Sequence, residues 1–236
     1  MYKRVLLKLS GEALSSKDST YDPKMLNNLA LVLRDLNKEG YQIAIVVGGG
    51  NIIRGKFAKE LNLPRVQADN MGMLATLMNA LALQGAFDQV GLSSYVQSSF
   101  DVPKICDVAD ARKAFQHLEA GDVVIYGGGT GNPFFSTDTC SALRACELNC
   151  EAILMAKNGV DGVYSADPRK DPTAVKYDTL TFKEVLDRNL GVIDATAASM
   201  CYENEIEAVV FNMNDVTNIG RVMRGERIGT VIKGGN

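Results

Sequence analysis

An apolar run that ends on three glycines constrains this chain most. Residues 43–51 read Ile-Ala-Ile-Val-Val-Gly-Gly-Gly-Asn. A short β-branched run of this kind is typical of a strand buried on both faces, and the glycines then form the turn that leaves the sheet. Because glycine has no Cβ, such a turn lets a ligand approach the backbone and its N–H groups point at a phosphate. The same residues also fit an ordinary tight turn between a strand and a helix.

The strand-then-glycine arrangement recurs at two other places. Residues 5–12 form an apolar segment that ends in Lys-Leu-Ser-Gly-Glu, and residues 123–132 end in Gly-Gly-Gly-Thr-Gly-Asn. Ligands of open α/β sheets bind beyond the carboxyl ends of the strands. The repetition therefore predicts an α/β chain in which several strands deliver polar or glycine-rich turns to one edge, where the site lies.

Composition excludes several classes of protein. The chain has 236 residues, of which 46% are hydrophobic and 22% charged, which is typical of a globular protein and not of a disordered one. The net charge of −3 provides no basic surface for nucleic acid or for a membrane. No apolar stretch approaches membrane-spanning length, and the first residues show no signal-peptide core, so we expect a cytoplasmic protein.

Cysteine and histidine usage argues against two kinds of site. The five cysteines form no CxxC pair, so we expect neither a disulfide framework nor a zinc site. The single histidine, His117, lies in a segment with the pattern of an ordinary helix. Catalytic triads that depend on histidine are therefore excluded.

A partial P-loop match is rejected. Gly50, Gly55 and Lys56 have the spacing of GxxxxGK[ST], but Phe57 stands where the Mg²⁺-binding hydroxyl belongs, and the motif follows a second strand, not a first. Arg54, just past the glycine turn, is either a phosphate clamp or a solvated arginine.

Helix patterns place several other candidates. Asp22 caps a helix that opens with Pro23. Residues 69–83 predict an apolar helix at a subunit interface or in the core, with Asp69 as either its cap or a ligand acceptor. Residues 136–138 start a further helix whose free N–H groups form an anion site. Residues 107–119 and 194–204 are also predicted to be helical.

Together the motifs resemble the bacterial uridylate kinases of the amino acid kinase superfamily, nearly from end to end. The most specific of them is Gly-Thr-Gly-Asn-Pro-Phe-Phe followed by Ser-Thr-Asp at residues 129–138. The others are Lys-Leu-Ser-Gly-Glu-Ala-Leu at 8–14, Gly-Gly-Gly-Asn at 48–51 with Arg-Gly at 54–55, Asp-Asn-Met-Gly-Met at 69–73, Asp-Gly-Val-Tyr at 161–164 with Ala-Asp-Pro at 166–168, and Phe-Asn-Met-Asn at 211–214.

The resemblance implies a fold and a reaction. It implies one three-layer α/β/α domain over residues 1–236 around a mainly parallel sheet, with UMP and oligomer contacts in about 1–150 and ATP contacts in about 151–236. The reaction is transfer of the γ-phosphoryl group of ATP to UMP, with Mg²⁺ carried by the ATP phosphates and no protein metal cage. A homohexamer is implied, as are the effectors GTP and UTP.

The same resemblance assigns residues to roles. Those implied in catalysis are Lys8, Arg54, Asp138 and Asp194, with Asp194 orienting Lys8 and with helix capping as the other interpretation of Asp138. Those implied in ATP binding are Lys8, Ser10, Gly11, Gly50, Arg54, Asn158, Tyr164 and Asp167. Those implied in UMP binding are Gly49, Asp69, Thr130, Gly131, Asn132, Pro133, Phe134, Phe135, Ser136 and Thr137.

Two departures from the family pattern bear on these expectations. Asn158 with an extra glycine stands where some relatives have a shorter Thr-Lys turn, which moves the ATP contact toward the backbone. Residues 83–88 carry no arginine of the kind that some relatives have near the subunit contact, which argues against regulation by GTP.

Two other functions remain open at this point. A relative that phosphorylates a carboxylate or carbamate is disfavoured by the paired phenylalanines, since a small acid has no base to stack. A silent nucleotide sensor is disfavoured because Lys8, Arg54 and Asp194 are all present.

Overall fold

Strand β1 (Arg4–Leu9) lies at the centre of the sheet on which the molecule is built. The computed structural model describes residues 1–53, 60 and 62–234, so Arg54 and most of the rejected P-loop match lie outside the described residues. The run at residues 43–47 falls within β2 (Gln42–Val47), which pairs in parallel with β1. Both strands are buried almost throughout, as their continuous apolar sequences predict.

The main sheet of the described part of the chain has nine strands in the order β4-β3-β5-β2-β1-β6-β10-β11-β9. All neighbours are parallel except β10 and β11. The further strands are β3 (Ser94–Ser98), β4 (Asp107–Val108), β5 (Val123–Gly127), β6 (Ala152–Lys157), β9 (Thr179–Thr181), β10 (Glu207–Asn212) and β11 (Thr230–Lys233). A separate antiparallel ribbon pairs β7 (Val163–Tyr164) with β8 (Lys176–Tyr177).

Helices cover both faces of this sheet. One face packs against the helices α1 (Pro23–Lys38), α2 (Arg65–Gln89) and α7 (Asn218–Met223). The other face packs against α3 (Ala111–Ala120), α4 (Thr137–Glu147), α5 (Phe182–Asp187) and α6 (Ala195–Glu203). The prediction of a three-layer α/β/α fold around a mainly parallel sheet is therefore confirmed.

The observed first residues of the helices match the predicted ones in some cases and differ in others. Asp22 caps α1, as predicted, through hydrogen bonds from the N–H groups of the first turn. The helix expected from Asp69 instead begins at Arg65, so Asp69 lies inside α2 and the interpretation as a cap is wrong. The helix expected from Asp107 begins at Ala111, because Asp107 and Val108 pair with β3 as an edge strand.

The turns after β1 and β2 lie directly against one another. A Cβ placed on Gly11, in the 3-10 turn Gly11–Leu14, would lie 2.6 Å from the nitrogen of Gly50 and 2.7 Å from the carbonyl oxygen of Gly48. Only glycine allows the two backbones to approach this closely. The glycines therefore fix how the ends of the two strands sit relative to each other.

Among residues 1–53, 60 and 62–234, we find no helix with the length and apolarity needed to cross a bilayer.

We expect Gly11→Ala to lower the free energy of unfolding by about 1–3 kcal/mol, because the added methyl overlaps backbone atoms that have nowhere to move. Urea unfolding measures this. Gly85→Ala is the matched control: Gly85 lies in α2 with open space around its would-be Cβ, so the same change is expected to stabilise by about 0.5–1 kcal/mol. Equal effects of the two substitutions would contradict the close approach.

Candidate active site

The candidate site lies at the point where strand order reverses. From β1 the chain moves outward through β2 on one side, and β6 and β10 lie on the other side. The carboxyl ends of β1, β2 and β6 carry Ser10, Gly48 and Asn158 respectively. Such a reversal opens a crevice beyond the strand ends, where ligands of open α/β sheets bind. The structure thus brings the first two predicted turns to one edge, with the turn after β5 beside β2.

A first cavity of about 640 Å³ opens beyond β1 and β6. Five residues expected at ATP line it: Lys8, Ser10, Asn158, Tyr164 and Asp167. Gly11 and Gly50, also expected there, are absent from this lining. Gly50 instead lies in the wall of a second cavity, on the other side of the strand ends.

Polar side chains at the mouth of the first cavity are tied to neighbours. The Tyr164 hydroxyl donates to Asp161 at 2.7 Å, and this bond raises the pKa of Tyr164. Arg169 donates to Asp167 from its side chain at 3.0 Å and from its backbone at 3.1 Å, which lowers the pKa of Asp167. Asp167 stays ionised and remains able to accept from a further donor.

Lys157 is a further cation in this cavity, and no sequence motif assigned it to a ligand. It ends β6, two residues after Met155, which pairs with Lys8, so both lysines lie on the same face of the sheet. Its ammonium donates to the carbonyl of Val192 at 3.2 Å and has no carboxylate within ion-pair distance among the described residues. Burial lowers the pKa of Lys157, and the charge of Lys8 lowers it further. A half-buried ammonium without an anion favours an anionic ligand beside it.

A second cavity of about 580 Å³ lies between the end of β2, α2 and the turn after β5. It contains seven of the ten residues expected at UMP: Gly49, Asp69, Thr130, Asn132, Phe135, Ser136 and Thr137. Gly131, Pro133 and Phe134 do not line it. Arg65 and Thr76 of α2 also line it, and no sequence motif pointed to them. Met73, the last residue of the motif at residues 69–73, lines it as well.

Asp69 is held in place by two donors on one side of this cavity. Arg65, one turn earlier in α2, pairs with its carboxylate at 2.8 Å. The backbone N–H of Phe134 donates to the same carboxylate at 2.8 Å. Asp69 therefore fastens the loop after β5 to α2 and keeps lone pairs for a ligand.

The two adjacent phenylalanines have different surroundings. Phe134 has a positive φ of 73° and is 65% exposed, with the Arg65 guanidinium 5.4 Å from its ring centroid. Phe135 is 52% exposed and lines the second cavity. Phe135 is therefore the aromatic ring that is placed to contact a ligand there.

An ion pair connects the two cavities. Lys8, only 9% exposed, places its ammonium nitrogen 2.8 Å from Oδ1 of Asp138. Asp138 is the second residue of α4, and the residue before it, Thr137, lines the second cavity. Ser136, not Asp138, is the cap of this helix. Lys8 lines the first cavity, and its partner Asp138 lies on the helix whose first residue lines the second, so the ion pair lies between the two cavities.

Asp194 does not contact Lys8, so the expected orienting role is corrected. Its carboxylate caps α6 through the N–H of Ala197 at 3.0 Å. It also accepts from the Thr139 hydroxyl at 3.1 Å and from the Ser136 hydroxyl. Asp194 thereby joins the starts of α4 and α6, and it bears on Lys8 only through the helix that carries Asp138.

Hydrogen bonds to Asp194 control its ionisation. Partial burial raises the pKa of Asp194, but the bonds from Ser136, Ala197 and Thr139 outweigh it, so the pKa lies below the usual range. The carboxylate is therefore charged at neutral pH.

An asparagine pair supports the turn after β2. The Asn79 side chain, fully buried in α2, donates to the carbonyl of Gly48 at 2.7 Å and exchanges hydrogen bonds with the Asn51 side chain. The glycine turn is thus fixed from the helix side as well as by Gly11.

Comparison with known proteins gives a consistent result. Residues 3–212 match the amino acid kinase family. A uridylate kinase of Pediococcus pentosaceus is 53% identical over 234 residues, covering 99% of this chain and 97% of the relative. A uridylate kinase of Limosilactobacillus reuteri is 51% identical over 234 residues, covering 99% and 98%.

Solved structures agree with these relatives. The crystal structure of UMP kinase from Bacillus anthracis matches with a TM-score of 0.95 and 38% identity, covering 98% of this chain and 96% of that one. The UMP kinase from Ureaplasma parvum matches with a TM-score of 0.93 and 40% identity, covering 99% of both chains.

Asp194→Asn tests the charged state of this capping residue. Because the native pKa is lowered, the ionised carboxylate stabilises the fold above the unfolded-state value of about 3.9, and this contribution is lost as pH falls through the native pKa. We expect the difference in free energy of unfolding between the two proteins to be larger at pH 7 than at about pH 3, as measured by urea unfolding. The same difference at both pH values would contradict the assignment.

Proposed function

This chain belongs to the amino acid kinase family, and we propose that it is a UMP kinase, which transfers the γ-phosphoryl group of ATP to UMP and releases ADP and UDP. The observation that carries the proposal is a pair of cavities at the strand ends with an ion pair between them: Lys8 lines the first cavity, and its partner Asp138 follows Thr137, which lines the second. The full-length similarity to uridylate kinases supports it. In this assignment ATP occupies the first cavity and UMP the second.

Phosphoryl transfer needs little covalent chemistry from the protein. An oxygen of the UMP phosphate attacks the γ-phosphorus, the bond to the β–γ bridging oxygen breaks, and that oxygen leaves on ADP. A phosphate monoester is mostly dianionic at pH 7, so the attacking oxygen carries no proton that a base must remove. This suits a site in which Asp138 pairs with Lys8 and is not free to act as a base.

Lys8 stabilises the charge that moves during the transfer. Its ammonium is almost fully buried, and a preorganised cation in a water-poor site is worth far more than one in solvent. Asp138 holds the ammonium at the junction of the cavities. We assign Lys157 to the ATP phosphates as a second cation, and Arg54 to the same phosphates by family resemblance.

Mg²⁺ fits the carboxylate that faces Lys8. Oδ1 of Asp138 is buried and accepts no hydrogen bond with acceptable geometry, although Lys8 lies close to it. Among the residues that the structure describes, no cluster of three or more histidine, cysteine or acidic side chains forms a metal cage. We therefore propose that Mg²⁺ is held mainly by the ATP phosphates, near Asp138. When bound, it neutralises phosphate charge.

The remaining assignments follow from position in each cavity. We propose that Ser10, Asn158, Tyr164 and Asp167 hold the adenine nucleotide. Gly49, Asp69, Phe135 and the polar loop at residues 130–137 hold UMP, with Phe135 as the ring next to the base. Gly11 and Gly50 act by shaping the turns between the two nucleotides.

We further propose a homohexamer in the cytoplasm, with UTP and GTP as the effectors that the family resemblance suggests, although the lack of an arginine at residues 83–88 argues against GTP. Leu74 and Met78, one turn apart on α2, are 53% and 54% exposed, which supports an interface on this helix. ATP and UMP are intracellular metabolites, which supports the location. The effectors rest on family resemblance alone.

A coupled assay of ADP release with Mg·ATP tests the proposal directly. The acceptor panel contains UMP, CMP, dTMP, N-acetylglutamate and carbamate, and we expect turnover with UMP. Turnover with N-acetylglutamate or carbamate but not with UMP would agree with ATP binding in the first cavity and would contradict UMP binding in the second. No turnover on any acceptor would favour a nucleotide sensor instead.

Lys8→Ala is expected to lower kcat by about a hundredfold or more while UMP affinity changes little, because the ammonium acts on charge in the transition state. Steady-state kinetics and calorimetric binding of UMP measure the two quantities. Lys113→Ala is the matched control, since Lys113 pairs with Asp107 at the edge of the sheet. Near-normal turnover of Lys8→Ala would contradict the assigned role.

A further inference from the structure

We propose that Ser99, held by the buried Arg144, is a positioning residue for UMP: it fixes the peptide between Gly129 and Thr130 so that the Thr130 N–H faces the UMP cavity. Neither side chain lines that cavity. The inference rests on the proposed function, since it names how one wall of the UMP cavity is set.

Arg144 lies in α4, behind the turn that follows β5, and is only 6% exposed. Its guanidinium pairs with Glu147 at 2.6 Å and lies 4.9 Å from the ring centroid of Tyr126. Its second terminal nitrogen donates to the Ser99 hydroxyl at 2.8 Å. Burying an arginine is costly, so its fixed contacts call for an explanation beyond stability.

The guanidinium gives this chain of hydrogen bonds a direction. Arginine can only donate, so the Ser99 oxygen must accept from it, and the single Ser99 proton remains free for another acceptor. That acceptor is the carbonyl oxygen of Gly129, at 2.5 Å. The Cys140 thiol donates to the same oxygen at 3.1 Å. The Gly129 carbonyl is thus held by two donors that lie outside the UMP cavity.

A fixed carbonyl fixes the N–H on the other side of the same peptide. The described residues contain no cis peptide, and in a trans peptide the N–H points opposite to the carbonyl. Gly129 and Thr130 both line the UMP cavity, whereas Ser99 and Cys140 do not. The Thr130 N–H therefore points toward the cavity, and no described residue accepts a hydrogen bond from it.

The backbone of Ser99 holds the same turn at a second point. A Cβ on Gly131 would lie 2.8 Å from the Ser99 carbonyl oxygen, and Gly131 has a φ of +79°. The turn is closed by a hydrogen bond from the Gly131 N–H to the Gly128 carbonyl at 3.0 Å. These contacts do not involve the Ser99 hydroxyl, so the turn keeps its closure when only the hydroxyl is removed.

Ser99→Ala tests the proposal, and Ser94→Ala is its matched control. Ser94 lies at the start of β3, and its buried hydroxyl has no hydrogen-bond partner among the described residues. We expect Ser99→Ala to raise KM for UMP about five- to tenfold with KM for ATP nearly unchanged, because one hydrogen bond that orients a UMP donor is lost. The melting temperature falls as well, because the buried Arg144 guanidinium loses an acceptor. We expect Ser94→Ala to leave both KM values unchanged.

The possible results separate this inference from the function on which it rests. An unchanged KM for UMP in Ser99→Ala would overturn the positioning role. So would a parallel rise of both KM values, because that pattern indicates a merely structural role that is not specific to the UMP cavity. Failure of the unsubstituted protein to phosphorylate UMP would overturn the proposed function itself.

Discussion

The contact between Lys8 and Asp138 is the interaction on which the rest of the site depends. A nearly buried ammonium is expensive unless a charge of opposite sign compensates it, and Asp138 supplies that charge at 2.8 Å. The pair forms only because β1 ends beside the start of α4. The position of α4 is in turn fixed by Ser136 and by the link from Asp194 to the start of α6.

The charge pattern around this pair favours anionic ligands. The cations Lys8 and Lys157 lie on one face of the sheet at the strand ends. Nearby carboxylates are already engaged: Asp194 accepts from hydroxyls and a backbone N–H, and Asp69 accepts from Arg65. Two nucleotides whose phosphates meet between the cavities would supply the negative charge that this region lacks.

Sequence patterns predict the fold of this chain better than they predict its side-chain contacts. The apolar runs, the glycine turns and the Asp22 cap are local signals, and local signals survive in the structure. The prediction that Asp69 caps a helix is wrong, because an Asp in the first turns of a helix resembles a cap in sequence, whereas this helix begins four residues earlier, at Arg65. The pattern of residues 107–119 predicts a helix from Asp107, because an edge strand of only two residues, Asp107–Val108, has no periodic pattern of its own that would reveal its pairing with β3.

The residues that sequence reasoning missed act through long-range contacts. Lys157 has no motif of its own, and its importance follows from the register of β6 with β1. Ser99 and Arg144 are 45 positions apart, so no spacing rule connects them. Ser136 and Asp194 are 58 positions apart, so no spacing rule connects them either. The sequence therefore did not show that the Asp194 carboxylate accepts from Ser136 and does not contact Lys8.

We propose that the two cavities form one reaction site, with Lys8 at the phosphates of both nucleotides. Calorimetric titration with a bisubstrate compound, adenosine and uridine joined through a chain of phosphates, tests it most directly. We predict that one molecule binds per chain and excludes both ATP and UMP. Displacement of only one of the two nucleotides would contradict the claim, because it would show that the cavities do not share a phosphate path.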